Sequence, residues 1–145
     1  DQFSKQLADN MLTYGEPLAI LPSFNLTLLY NKGAAFSFLE SAGGWQRWFF
    51  TIVALIVSVV IVFWLKATGE KQRWTPAGLV LILGGAIGNV FDRVVFGHVI
   101  DFIQLYYGTF YWPAFNVADS AICVGAAILL LSGWLIQPQK AANSP

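Results

Sequence analysis

Charged residues are scarce in this chain: they make up 11% of its 145 residues, whereas 57% of the residues are hydrophobic. Because an ordinary soluble domain is about one quarter charged, this composition excludes that class and indicates a single-domain membrane protein. An excess of one charge sign is also lacking, since eight basic residues balance eight acidic ones. Without a basic tract, we expect no nucleic-acid partner.

Residues that bind metals or form disulfides are nearly missing. Cys123 is the single cysteine and lies inside an apolar run, and His98 is the single histidine. One cysteine cannot build a disulfide framework, and neither residue has the companions that a cysteine- or histidine-ligated metal site needs. The sequence therefore predicts neither a metal nor another cofactor.

Long apolar runs are what the chain has instead. A hydrocarbon core of about 30 Å takes about 20 helical residues to cross, and three segments are long enough. The predicted spans cover about residues 45–65, 76–96 and 117–136. Three basic residues occupy the loop 66–75, and Lys140 lies in the tail 137–145. By the positive-inside rule, the loop and the tail are expected in the cytoplasm.

This topology places residues 1–44 and 97–116 on the outer, periplasmic face. Because the chain must cross the membrane to begin there, we expect a further spanning helix before Asp1, which makes four. Alternating apolar and polar residues over 24–30 predict a strand, followed by a turn at 31–33. The aromatic-rich second outer segment predicts a loop or short helix in the interfacial belt.

Two aspartates near the outer boundary are the strongest candidates for chemistry. Asp101 follows the second span and Asp119 begins the third, so both are expected at the same membrane face. Carboxylates brought close together share a proton and can divide the roles of general base and general acid. The alternative is structural: Asn116 and Asp119 have the spacing of a helix-capping box, and Asp101 could be a solvated carboxylate. Spacing alone leaves both interpretations open.

A second polar group lies at the outer end of the second span. Asn89 and Arg93 are four residues apart and share a helix face, with Asp92 to the side. A buried arginine needs an anionic partner, which Asp92, Asp101 or Asp119 could supply. The group could equally be a structural cluster that ties helices together, or could hold a substrate carbonyl or phosphate.

The run at 84–88 contains closely spaced glycines but no dinucleotide-binding pattern. Gly84 and Gly88 form a G-x-x-x-G pair within an apolar segment. Such pairs allow two membrane helices to approach closely. We therefore predict helix packing at this pair rather than nucleotide binding.

Five blocks of the chain, taken together and in this order, resemble the lipoprotein signal peptidase family (signal peptidase II). The resemblance implies a membrane-embedded all-α bundle of four helices with a small β-rich, amphipathic periplasmic cradle. It also implies an aspartyl endopeptidase of the bacterial inner membrane that cleaves prolipoproteins before their diacylglyceryl-modified cysteine. The blocks are Asp1-Gln-Phe-Ser-Lys5, Asn31-Lys-Gly-Ala-Ala-Phe36, Gly84-Gly-Ala-Ile-Gly-Asn-Val-Phe-Asp-Arg93, Val99-Ile-Asp-Phe102 and Phe115-Asn-Val-Ala-Asp-Ser120.

The resemblance assigns roles to particular residues. Asp101 and Asp119 match the family's catalytic dyad. Other positions match residues that bind the substrate or support the site: Asn31, Gly33, Asn89, Arg93 and Asn116. Structural support is expected from Asp1, Lys5 and Asp92. The implied partners are a diacylglyceryl-modified prolipoprotein, membrane lipid and peptide inhibitors of the globomycin type.

Two non-peptidase interpretations compete with this one. A small proton-coupled carrier could use the same aspartates as a relay, although carriers commonly show internal repeats and a site near the bilayer midplane. A non-enzymatic assembly factor would use the polar cluster only to hold helices together. The absence of a sequence repeat and the boundary position of the acids favour the enzyme.

Overall fold

The computed structural model describes residues 1–33, 44–69 and 72–135. Within them the chain forms four helices and four strands, and predictions that fall on the basic loop's centre or the tail lie outside the described residues. In chain order the elements are α1 Gln2–Met11, β1 Leu18–Leu21, β2 Phe24–Asn31, α2 Trp45–Ala67, α3 Trp74–Val95, β3 Val99–Tyr107, β4 Phe110–Tyr111 and α4 Val117–Leu135.

Helices α2 and α3 are both long and apolar enough to cross a membrane by length and composition. They coincide with the first two predicted spans. Helix α4 begins where the third span was predicted to begin, and within the described residues its apolar stretch covers Val117–Gly133. The described part of the chain therefore contains two membrane-capable helices and one shorter apolar helix.

The distribution of side chains around α2 is the reverse of that in a soluble helix. Its buried residues include the polar Gln46, Thr51 and Ser58, whereas most of its apolar residues are exposed. The hydroxyls of Thr51 and Ser58 donate to backbone carbonyls four residues earlier, at 2.7 Å each. An exposed apolar surface around satisfied polar groups suits a lipid environment, where a helix gains nothing by hiding aliphatic side chains.

The four strands form one antiparallel sheet in the order β1-β2-β3-β4. The predicted strand at 24–30 is confirmed as β2. The prediction of a loop or short helix for the aromatic-rich segment is wrong, because this segment contains β3 and β4. The aromatic residues gave no sign of a strand, but the backbone of β3 pairs with β2 from Phe24↔Leu105 to Asn31↔Val99. The pairing satisfies the β3 backbone and carries Asp101 into a fixed register opposite Leu29.

Helices α3 and α4 approach each other closely at small residues. A Cβ added to Gly78 would lie 2.8 Å from the carbonyl oxygen of Gly125. A Cβ on Gly85 would collide with the carbonyl oxygen of Ala118 and lie 2.7 Å from Ile122 Cγ1. The predicted pair of Gly84 and Gly88 is therefore wrong at Gly84 only, since a Cβ added to Gly88 would lie 3.6 Å from the Ala118 Cβ on α4.

The face that packs is displaced from Gly84 by one residue, or about 100° around the helix. A Cβ on Gly84 would meet nothing within 4 Å, whereas one on Gly88 would lie 2.6 Å from Asp1 Oδ2. The contact face of α3 therefore runs through Gly78 and Gly85 and leads to Asn89 and Asp92, both of which are buried. Helix packing thus positions the polar residues at the outer end of α3.

Adjacent glycines provide a matched test of this packing. We expect Gly85→Ala to destabilise the protein by about 1–3 kcal/mol, because the new methyl group meets a backbone oxygen that cannot rotate away. Gly84→Ala should be neutral or stabilising by up to about 1 kcal/mol, since alanine is the better helix former and has open space there. Thermal unfolding of both variants in detergent measures the difference, and equal unfolding temperatures would contradict it.

Candidate active site

Asn116 caps the start of α4 and forms the centre of the site. Its side-chain oxygen accepts from the backbone N–H of Asp119 at 3.0 Å, and its own backbone N–H donates to Asp119 Oδ2 at 3.1 Å. This reciprocal pair is the capping geometry considered as the structural alternative. Asn116 is fully buried, and its amide nitrogen also donates to Asp101 Oδ1 at 2.8 Å. The capping residue therefore also links the two carboxylates, so the helix cap is part of the predicted site.

Asp101 enters this cluster from β3 and is only 3% exposed. Asn31, its neighbour on β2, donates its amide nitrogen to Asp101 Oδ2 at 3.1 Å. The pKa of Asp101 is raised to about 6, chiefly by burial. The amide of Asn31 opposes the rise and the nearby charge of Asp119 adds to it, while the amide of Asn116 and the ammonium of Lys5 oppose it less strongly. Asp101 is thus a carboxyl group that holds a proton at weakly acidic pH, unlike a solvated carboxylate.

Asp119 is held in a different way. Its Oδ1 accepts from the amide nitrogen of Asn89 at 2.7 Å, and its Oδ2 accepts from the backbone of Asn116. It lies in the first turn of α4, where the positive end of the helix dipole favours a negative charge. The donors to both oxygens fix the orientation of the carboxylate. The two aspartates therefore have distinct environments on either side of one asparagine.

A buried ion network lies behind Asn89. Lys5 on α1 forms ion pairs with Asp1 at 2.8 Å and with Asp92 at 2.9 Å. Asp92 is completely buried and also accepts from Gln2 at 2.7 Å and from the backbone of Ile100 at 3.2 Å. These contacts join α1 and the start of β3 to α3. They are consistent with the support expected from Asp1, Lys5 and Asp92.

Arg93 is the residue whose surroundings differ most from expectation. No carboxylate of the described residues pairs with it, because Asp92, its nearest acid in sequence, contacts Lys5 instead. Its Nη1 donates to the Asn89 carbonyl at 3.3 Å, and its guanidinium lies 5.7 Å from the Phe50 ring centroid. Its buried Nε has no hydrogen-bond partner among the residues that the structure describes. None of the three acids that could have served as its partner (Asp92, Asp101 and Asp119) forms an ion pair with Arg93 within the described residues.

The predicted turn at residues 31–33 is confirmed and serves the site. The backbone N–H of Gly33 donates to Asn31 Oδ1 at 2.8 Å, which leaves the amide nitrogen of Asn31 free to bind Asp101. Gly33 has a φ of +105°, and a Cβ there would lie 2.9 Å from the Phe50 ring. Glycine is required by both the backbone conformation and the space.

Sequence reasoning missed two contributors to this region, Gln2 and Phe50. Gln2 binds Asp92 and the Gly88 carbonyl, and Phe50 lies between Gly33 and Arg93. Nothing in the local sequence distinguishes Phe50 from the other aromatic residues of α2. Gln2 had one indirect signal, its position between Asp1 and Lys5 in the first matched block.

Ionisable and amide side chains buried at one end of apolar helices mark a functional site in a membrane protein. Two solved bacterial membrane enzymes share the fold. One has a TM-score of 0.84 and 26% identity over 100% of this chain and 87% of its own. The other has a TM-score of 0.80 and 28% identity over 96% of this chain and 86% of its own.

Sequence comparison makes the assignment specific. The family described as Signal peptidase (SPase) II matches residues 1–135. A lipoprotein signal peptidase of Alteromonas mediterranea is 53% identical over 90% of this chain and 72% of its own length. One from Acinetobacter baumannii is 49% identical over 99% of this chain and 82% of its own length.

The chain belongs to the signal peptidase II family. It is therefore an enzyme, an aspartic-type signal peptidase. This membership does not favour the carrier alternative.

Proposed function

We propose that the protein removes signal peptides from prolipoproteins in the bacterial inner membrane, by cleavage before the diacylglyceryl-modified cysteine. The observation that carries the mechanism is the arrangement of Asp101 and Asp119 around the amide and backbone of Asn116. We place this site at the periplasmic face, with the sheet as a cradle above a four-helix membrane bundle. Basic residues in the loop after α2 support this orientation.

The two aspartates take different roles in the proposed reaction. Asp119, with N–H donors at both oxygens, is the ionised general base that removes a proton from the attacking water. Asp101, whose burial favours the protonated form, donates its proton to the leaving amine. The water attacks the scissile carbonyl and the peptide C–N bond breaks, so that no covalent enzyme intermediate forms. The products are the free signal peptide and the lipidated protein with an amino-terminal cysteine.

The substrate is proposed to lie among the helices, with its acyl chains left in the bilayer beside the exposed apolar faces of α2 and α3. Arg93 can bind a substrate backbone carbonyl, because its buried Nε has no partner within the described residues. Asn31 and Gly33 would border the same region from the sheet. Peptide inhibitors of the globomycin type are expected to occupy this space.

The decisive experiment is cleavage of a diacylated prolipoprotein peptide by the protein purified in detergent. Cleavage immediately before the modified cysteine, at an unchanged rate in the presence of a metal chelator, is the expected result. A peptide with an unmodified cysteine serves as the matched control and should be cleaved much more slowly. Loss of all activity with the chelator would contradict an aspartate mechanism. Absence of cleavage in an intact, folded preparation would contradict the proposed function.

The raised pKa of Asp101 predicts a pH dependence. As the general acid, Asp101 must be protonated, so kcat/KM should fall as pH rises through about 6. Bound substrate excludes water and further disfavours the ionised form, so the same limb in kcat should lie at higher pH. Steady-state kinetics from about pH 4 to about pH 9 cover the titration of Asp101 and measure this limb in both kcat/KM and kcat. A rise in kcat/KM through pH 6, in place of a fall, would assign Asp101 as the base.

A further inference from the structure

Lys5 is buried, with only 1% of its surface exposed. Its ammonium contacts Asn89, the residue whose amide donates to Asp119. The ammonium contacts Asp1 Oδ2 at 2.8 Å, Asp92 Oδ2 at 2.9 Å and Asn89 Oδ1 at 2.8 Å. A lysine ammonium has three donors and no acceptor. Its three contacts therefore use its full donor capacity, and the atom of Asn89 that faces it must be the oxygen.

This requirement fixes the direction of the Asn89 amide. With Oδ1 toward Lys5, the nitrogen of Asn89 faces Asp119 Oδ1 at 2.7 Å. The reversed amide would place NH₂ against the ammonium and an oxygen against the carboxylate, so both contacts would become repulsive. Asn116 adds a second donor to the same Asn89 oxygen at 3.2 Å and so favours the same direction.

We propose that Lys5 is a positioning residue of the active site, which orients the Asn89 amide so that its NH₂ group holds the ionised Asp119. This inference rests on the proposed function, in which Asp119 is the general base. Asp1 and Asp92 hold the ammonium in place, and Gln2 and the Ile100 backbone fix Asp92. The buried network thus determines the direction of the Asn89 amide, in addition to joining the helices.

The charge of Lys5 also reaches Asp101. The charged groups around Asp101 are Asp119 on α4, Lys5 on α1 and Arg93 on α3. Since Lys5 opposes the rise in the pKa of Asp101, its removal should move the alkaline limb of the activity profile to higher pH. A lysine whose charge did not reach the site would lower stability or yield without moving this limb.

A double-mutant cycle tests the route through Asn89. We expect Lys5→Met to lower plateau kcat by about 10- to 100-fold with little change in KM, because a donor to the base is misdirected. In the Asn89→Ala background, Lys5→Met should change plateau kcat by less than about two-fold, since the amide through which it acts is missing. Equal losses in both backgrounds would overturn the proposal.

Two control variants distinguish loss of the positioning role of Lys5 from a loss of folding. Lys66 lies in the last turn of α2, far along the chain from the site, with its ammonium over the Phe63 ring. Lys66→Met therefore removes a cation outside the site and should leave kcat and the alkaline limb of the pH profile unchanged. If Lys5→Met does not accumulate, Lys5→Met combined with Asp92→Asn keeps the buried charge balanced and should show the same loss of kcat. Normal kcat in either Lys5 variant would overturn the proposal. Failure of the unmodified protein to cleave the lipidated peptide would instead refute the proposed function.

Discussion

Asp101→Asn and Asp119→Asn are each expected to lower kcat by a factor on the order of 10⁴ or more, as loss of a central catalytic group does in other hydrolases. Asparagine preserves the shape of aspartate but can neither accept the proton from water nor return one to the leaving amine. The measurement is single-turnover cleavage of the diacylated peptide by each variant in detergent.

Folding controls make this result specific for chemistry. Both variants should accumulate in the membrane and lose only about 1–3 kcal/mol of stability, because asparagine keeps the volume of aspartate but turns an NH₂ group toward one of the donors. A non-enzymatic assembly role predicts the opposite pattern, with impaired assembly as the primary defect. Full turnover by Asp101→Asn would refute its assignment as the general acid.

Asn116→Ala is expected to have the second largest effect, because one side chain contacts both aspartates and caps a helix. Loss of the cap should cost about 1 kcal/mol of stability. Loss of the donor to Asp101 should lower kcat by about 10²-fold through misplacement of the acid. It should also move the alkaline limb of the pH profile upward, since this donor opposes the rise in the pKa of Asp101.

Asn116→Ser separates the two roles of Asn116. A serine hydroxyl can accept the Asp119 N–H and retain most of the cap, but it cannot reach Asp101 in place of the amide nitrogen. We therefore expect Asn116→Ser to unfold near the parent temperature while retaining the kinetic defect. Thermal unfolding and the pH profile, measured on the same preparations, check this. Recovery of normal kcat in Asn116→Ser would show that the contact with Asp101 is unimportant.

Several parts of this protein could be predicted because their signals are local. Apolar runs indicated α2 and α3, since about 20 residues must be apolar to cross lipid. Alternation over 24–30 indicated β2, and the spacing of Asn116 and Asp119 indicated the cap that the structure contains. The five matched blocks indicated the signal peptidase II family, which the comparisons confirm.

Other parts could not be predicted because they depend on which distant elements meet. The aromatic residues after Gly97 gave no sign that β2 would supply hydrogen-bond partners to their backbone. Gly84 and Gly85 are chemically identical, and the rotation of α3 against α4 alone distinguishes the open position from the packed one.

The apolar lengths and spacings written in the chain thus sufficed for membrane helices and for two aspartates as candidates, and the five matched blocks sufficed for the signal peptidase II family. They did not indicate that Lys5, and not Arg93, would form the ion pair with Asp92. Nor did they indicate that one asparagine would contact both aspartates. Periodicity and composition act along the chain and are visible in any stretch of it. Ion pairing and amide direction arise where α1, α3, β3 and α4 converge, and so depend on the packing of segments far apart in sequence.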